Sequence, residues 1–332
     1  MSRAQLTSTD QQNSGGPVSP FVAGKNKIIN GDFGIWQRGT SFTNPANGDY
    51  TTDRFFVNQD GSGWTRTVSR QTFTPGTAPV AGYEGKYFWR LAQTVAGSGA
   101  SYNAFATKLE DVQTLAGQTV TYSFWAKADA ARSITYNINQ NFGTGGSSST
   151  VTSFGTASVT TSWQRFSATT TLPSLTSKTI GTGSNIQIEM DFPLNTAMTI
   201  DIWGVQVEAG STATPFTTAT GTLSGELAAC MRYYQVVGAG FSGFNESASY
   251  MAFAGTLAVP MRATPTLGLS STALSWFNYG IGTTAVVISQ IWGPYVSASS
   301  GFAIELQIAS GNTSTAKMAL QMTNNYTASA EL

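Results

Sequence analysis

The sequence predicts an all-β chain: a two-sheet β-sandwich, then a short helix, then a second and smaller β domain. Three observations carry this expectation. Apolar and polar residues alternate in several short runs, Gly, Ser, Thr and Asn crowd the stretches between them, and one segment alone changes to helical spacing.

Over residues 119–127, Val120, Tyr122, Phe124 and Ala126 fall on one face while Thr121, Ser123 and Trp125 fall on the other, as a period of two demands. Ile134, Tyr136 and Ile138 alternate in the same way with Thr135, Asn137 and Asn139. Ile186, Ile188, Met190 and Phe192 then oppose Gln187, Glu189 and Asp191. Residues 87–93, 163–171 and 199–207 are further strand candidates, and the run FGTGGSSST at 142–150 reads as a flexible loop. Many short strands joined by such loops fit two sheets that share one core.

Residues 222–236 break the pattern. Leu223, Leu227, Cys230 or Met231, and Tyr234 recur at helical spacing, with Ser224 as the expected N-cap, Glu226 in the first turn, and Gly238 and Gly240 ending the helix. Cys230 reads as a small buried filler. Strands resume at 251–259, 284–292, 302–308 and 317–323, punctuated by Pro260, Pro265 and Pro294, because proline lacks the amide a central strand needs. The expected organisation is therefore an arm at 1–25, a sandwich at 26–218, a linker helix at 219–240 and a β domain at 241–332.

The arm holds few apolar residues, two prolines and a Gly-Gly pair. It is either a loose terminus or a segment that orders on a partner, in which case Leu6, Val18, Phe21 and Val22 are the available anchors. Fully extended, such an arm reaches about 80 Å.

Composition narrows the function classes. Charged residues make up only 10% of the chain and the formal net charge is zero, so the basic footprint of a nucleic-acid binder is missing. A charge-poor, aromatic-rich surface favours assembly. There is no histidine and one cysteine, which removes histidine-based triads, CxxC metal pairs and disulfides within the chain. The first residues carry no apolar signal core, and no apolar run approaches the ~18 residues of a spanning helix, so no membrane insertion is expected. No P-loop or dinucleotide fingerprint lies between a strand and a helix.

Two features bear on chemistry. Glu189 and Asp191 sit two residues apart on one strand face, about 7 Å by strand rise, which overlaps the carboxyl spacing of inverting glycosidases. Acids in this spacing are common on solvated strands, and the expectation is no enzymatic activity. Trp125 shares a face with polar residues; it is a sugar-stacking platform, a subunit contact, or a residue covered by a crossing loop. Asn137, Asn139 and Gln187 would add hydrogen bonds to sugar hydroxyls if their face coincides with that of Trp125.

Four segments then line up with a known family. Ile28-Ile29-Asn30-Gly31-Asp32-Phe33, Tyr122-Ser123-Phe124-Trp125-Ala126-Lys127-Ala128, Trp163-Gln164-Arg165-Phe166, and the run from Trp203 through Val207-Glu208-Ala209-Gly210 to Pro215-Phe216 resemble, in order and spacing, the jelly-roll carbohydrate-binding modules related to families 4 and 9. The start IINGDFGIWQRGTSF, the end VEAGSTATPF, the helix with Cys230-Met231-Arg232-Tyr233-Tyr234-Gln235, and Val259-Pro260-Met261-Arg262-Ala263-Thr264-Pro265-Thr266 are similar to a group of bacteriophage virion proteins, many of them tail-fibre or tail proteins. The resemblance implies a jelly roll, a virion location, host attachment through adhesion and assembly, a trimer by analogy with fibres, and contacts with other virion proteins and host glycan. A capsid decoration or head-fibre protein is the alternative, and a glycan-depolymerising tail enzyme a third. The modules often hold a structural calcium, for which Asp32 and Asp201 are the corresponding acids. Gly34 and the pair Trp203-Gly204 depart from that pattern, and calcium needs six to eight oxygen ligands. No other cofactor is implied.

Overall fold

The computed structural model describes residues 24–80, 83–237, 242–245, 247, 249–269, 273–278, 282–298, 301–310, 319–322 and 326–332. The arm residues Leu6, Val18, Phe21 and Val22 lie outside the described residues.

The sandwich is built from β1 (Ser41–Thr43), β2 (Phe55–Gln59), β3 (Ser62–Thr72), β4 (Tyr87–Ser98), β5 (Asn103–Glu110), β6 (Thr119–Ala128), β7 (Arg132–Asn141), β8 (Thr150–Val159), β9 (Gln164–Thr171), β10 (Asn185–Asp191) and β11 (Met198–Ala209). They form a six-stranded sheet in the order β1-β3-β4-β11-β6-β9 and a five-stranded sheet in the order β2-β5-β10-β7-β8, with antiparallel pairing throughout. The alternation explains the core. Val120, Tyr122, Phe124 and Ala126 point inward from the first sheet and meet Ile134, Tyr136, Ile138, Ile186, Ile188 and Met190 from the second, all buried. Each of these side chains larger than alanine contributes about 1.5–3 kcal/mol by leaving water. The expected strands at 87–93, 163–171 and 199–207 fall within β4, β9 and β11, apart from Trp163 at the edge of β9.

The segment before β1 explains why Ile28-Ile29-Asn30-Gly31-Asp32-Phe33 reads as a motif. Gly31 accepts a backbone hydrogen bond from Val205 at 2.8 Å, and an added Cβ at Gly31 would stand 2.2 Å from the Val205 carbonyl oxygen, so only glycine fits. Asn30 adopts a left-handed φ of 62° and uses its amide to hold Ile35 and Asp53. Asn26 donates to the carbonyls of Val205 and Thr217 and accepts from the amides of Ile28 and Val207. The amide side chains thus tie this segment onto β11.

The helix α1 spans Leu223–Met231. Its N-cap is Thr222, whose hydroxyl accepts from the Gly225 amide at 3.1 Å, where Ser224 was expected. Its buried face also differs: Leu223 is 70% exposed, whereas Glu226 and Cys230 are buried. The reason is polar. Glu226 accepts from the amides of Asn30 and Thr220, both at 2.7 Å, and from the Thr220 hydroxyl at 2.9 Å, so a carboxylate anchors the helix where an apolar stripe was expected.

After α1 come β12 (Tyr234–Val237), β13 (Ser242–Asn245), β14 (Tyr250–Thr256), β15 (Thr266–Leu269), β16 (Ala273–Asn278), β17 (Gly282–Ala298), β18 (Gly301–Ser310), β19 (Ala319–Met322) and β20 (Tyr326–Ser329). Tyr234, expected in the helix, instead begins β12. The order β12-β20-β15 makes a three-stranded sheet, and β13-β14-β18-β17-β16-β19 closes into a barrel. Pro294 lies inside β17, opposite Ile304 and between register shifts at Ile291/Gly293 and Tyr295/Ala298. Such irregular pairing accommodates a residue without an amide hydrogen.

The three-stranded sheet is tied to the sandwich by charge. Glu331 pairs with Arg54, which is 2% exposed, and with Arg38 at 2.8 Å. Arg54 lies 3.3 Å from the Tyr233 ring centroid and Arg38 lies 3.6 Å from that of Tyr234. Lys108 donates to the Leu332 carbonyl at 3.0 Å.

Candidate functional site

Trp125 points away from the core on the outer side of the six-stranded sheet, and there it is covered. It is 7% exposed, in a cluster with Phe73, Phe88, Trp203 and Phe216, against which Tyr83 and Trp163 also pack. The Trp203 ring is 5.4 Å away and the Arg165 guanidinium 4.5 Å from the Trp125 ring centroid. Gly204, at φ +65°, allows the backbone to pass close by, since a Cβ there would come within 2.8 Å of the Trp125 ring. The crossing-segment reading of Trp125 matches this placement; as placed, no face of its ring is free to stack on a sugar.

Asn137, Asn139 and Gln187 lie elsewhere, on the outer face of the five-stranded sheet. The structure brings these three together and separates them from Trp125. Register places Gln187 opposite Asn139 and Glu189 opposite Asn137, with Asp191 opposite Thr135. On the other side of β10, Glu189 faces Ala106 and Asp191 faces Ala104. Phe56 and Asn58 of β2 complete these two rows. The two alanines keep the middle of the face low between the polar groups of β10 and the β2 edge. Val151, 61% exposed, stands opposite Asn139 on β8.

The groups on this face are bonded to one another. Glu189 Oε1 accepts from Asn58 Nδ2 at 2.8 Å and from Gln187 Nε2 at 2.5 Å, and Asn137 Nδ2 donates to Asp191 Oδ2. Among the described residues Asn139 Oδ1 has no hydrogen-bond partner. Burial, and secondarily the charge of Glu189, push the Asp191 carboxyl up to about 6, with the Asn137 hydrogen bond opposing them. Burial also depresses Lys108, which stands opposite Gln187. The result is a half-buried surface of carboxylates, amides and hydroxyls beside an exposed aliphatic side chain, the mixture that hydroxyl-rich ligands require. Asn58, Ala104, Ala106 and Val151 were not expected here, because their membership follows from pairing and not from local pattern.

The two acids considered for calcium are held differently. Asp201 accepts from Nε and Nη2 of Arg90, at 2.6 and 2.8 Å, and pairs with Lys127 at 3.6 Å. Asp32 accepts from the Tyr83 hydroxyl at 3.0 Å and the Gly34 amide at 3.3 Å. Among the described residues no three acidic or thiol side chains gather as a metal site. An aspartate neutralised by two cations does not fit a calcium ligand, so these residues do not fit the ion.

No protein-family model matches the chain, and no curated protein matches it. Solved structures with a similar fold include the enzymatically active domain of tailspike protein 4 from bacteriophage CBA120, at 17% identity and TM-score 0.38, covering 58% of this chain and 22% of that one. A carbohydrate-binding module of family 4 is similar at 22% identity and TM-score 0.34, covering 55% of this chain and 100% of its own. A family 11 module of a cellulosomal cellulase from Clostridium thermocellum is similar at 16% identity and TM-score 0.32, covering 51% of this chain and 99% of its own. This chain thus spans about a fifth of the tailspike structure.

Proposed function

We propose that the chain is a structural and adhesion subunit of a bacteriophage virion, of the tail-fibre or tail-appendage kind, whose sandwich contacts host-surface glycan through the outer face of the five-stranded sheet. The observation that carries the binding part is the row in which Asn58, Gln187 and Glu189 share hydrogen bonds beside Asn137 and Asp191. Pre-ordered acceptors and donors of this kind exchange their mutual bonds for sugar hydroxyls at low entropic cost. The virion part is supported by the ordered segments from Ile28 to Thr266 that resemble phage virion proteins. In this reading residues 1–25 attach to other virion proteins, and the charge-poor surface meets further copies of the chain, as a trimer.

The contact is binding without turnover. Glu189 Oε1 accepts from two amides and Asp191 Oδ2 from one, so in this reading both carboxylates serve as hydrogen-bond acceptors in a binding surface. The test is affinity electrophoresis of the full chain through host surface polysaccharide, with an assay for new reducing ends. Retention without new ends is expected, weakened by Glu189→Gln and Asn137→Ala at an unchanged thermal midpoint. Retention unaffected by both substitutions, or release of oligosaccharide, contradicts the proposal.

A further inference from the structure

A cleft of about 610 Å³ opens at the other sheet, where β3 and β4 pair beside the start of α1. Arg70, Lys86, Tyr87, Asp32, Tyr83 and Leu223 line it. Its volume lies within the ~300–1,000 Å³ of small-molecule sites. Arg70 and Lys86 both lie over the Tyr87 ring, at 4.3 and 5.0 Å from its centroid, and neither has an acidic partner among the described residues. Glu84, also at the cleft, is turned to the Gly76 amide at 2.7 Å. The lining also holds two acids, but Asp32 is hydrogen-bonded to Tyr83 and Glu84 to Gly76, so the end of the cleft at Arg70 and Lys86 is the one that suits an anion, and Arg70 presents a planar fork for a carboxylate.

The remaining walls suit a sugar ring. Tyr83 donates its hydroxyl to the Asp32 carboxyl at 3.0 Å, and both oxygens keep acceptor sites for ring hydroxyls. Leu223, 70% exposed, supplies the apolar surface against which ring C–H groups pack, and this accounts for a leucine at the first position of α1 that the core does not use. We propose that this cleft is a second binding site, specific for a carboxylate-bearing pyranose such as a hexuronic acid, with the carboxylate on Arg70 and Lys86 and the hydroxyls toward Asp32 and Tyr83. The site is on the opposite sheet from the polar face described above and does not depend on it.

Calorimetric titration of the full chain with D-glucuronate, D-glucose and acetate tests the proposal. Glucuronate should bind saturably, with glucose and acetate at least about tenfold weaker, because each lacks one half of the recognition. Arg70→Met and Lys86→Met should each weaken glucuronate at least about tenfold at an unchanged thermal midpoint. The proposal is overturned if glucuronate does not bind at millimolar concentration, if glucose or acetate matches it, or if either substitution leaves its affinity intact.

Discussion

Thr121, Ser123 and Trp125 point away from the core of the sandwich, just as Asn137, Asn139 and Gln187 do on the opposite sheet, yet their surroundings differ. The first three are buried, at 1%, 0% and 7% exposure: Trp125 packs in an aromatic cluster with Phe73, Phe88, Trp203 and Phe216, while Thr121 donates to the Gly210 carbonyl and Ser123 accepts from Arg165. The other three remain half-buried on a polar surface. Alternation along a strand assigns a side chain to one side of the sheet; whether that side meets water is decided by chain segments far away in sequence. One outer face has become a second core, and the other stays polar and partly open to water.

The largest expected effect comes from opening the covered face. Trp125→Ala should destabilise the protein by about 3–5 kcal/mol in urea denaturation, the cost of removing a buried indole from a packed aromatic cluster. A loss below about 1 kcal/mol would mean that the aromatic cover is only loosely applied and that the two faces are more alike than the structure shows.

A comparable loss, about 3 kcal/mol, is expected from Glu331→Ala, which leaves the buried Arg54 guanidinium without its carboxylate. Denaturation of this variant should lower the midpoint of the sandwich itself. An unchanged sandwich transition would show that the three-stranded sheet does not support it.

A smaller effect distinguishes the open face. Because the Asp191 carboxyl is raised to about 6 in the folded chain, above an unfolded value near 4, the folded state holds that proton more tightly. Its contribution is fully present below about pH 4 and is lost as pH rises through about 6. Asp191→Asn should flatten the profile of thermal midpoint against pH between about 4 and 7. It should also stabilise the protein at pH 7 by about 1 kcal/mol, a figure reduced for the partial exposure of this group. A variant that keeps the slope would place the titration elsewhere.

Much of this architecture was legible in the sequence. Val120 to Ala126, Ile134 to Ile138 and Ile186 to Met190 alternate strictly because one side of each strand meets a shared core, and that constraint is local. The helix was legible as an element, but its face was not. Glu226 is buried because it satisfies amides of Asn30 and Thr220, and those partners are invisible to a hydrophobic pattern. The candidate site was legible only in fragments. Glu189, Asp191, Asn137, Asn139 and Gln187 stood out singly, but their union depends on the register of β10 between β5 and β7, and the separation of Trp125 from them depends on which sheet each strand joins. Neither is encoded in a short stretch of residues.

In the proposed function glycan meets the five-stranded sheet and not the covered face. Hydrogen exchange of the full chain, with and without a polysaccharide that it retains, measures this directly. Protection is expected in β5, β7, β8 and β10, with exchange in β6, β9 and β11 unchanged. Protection confined to β6, β9 and β11, with none in the five-stranded sheet, would contradict it.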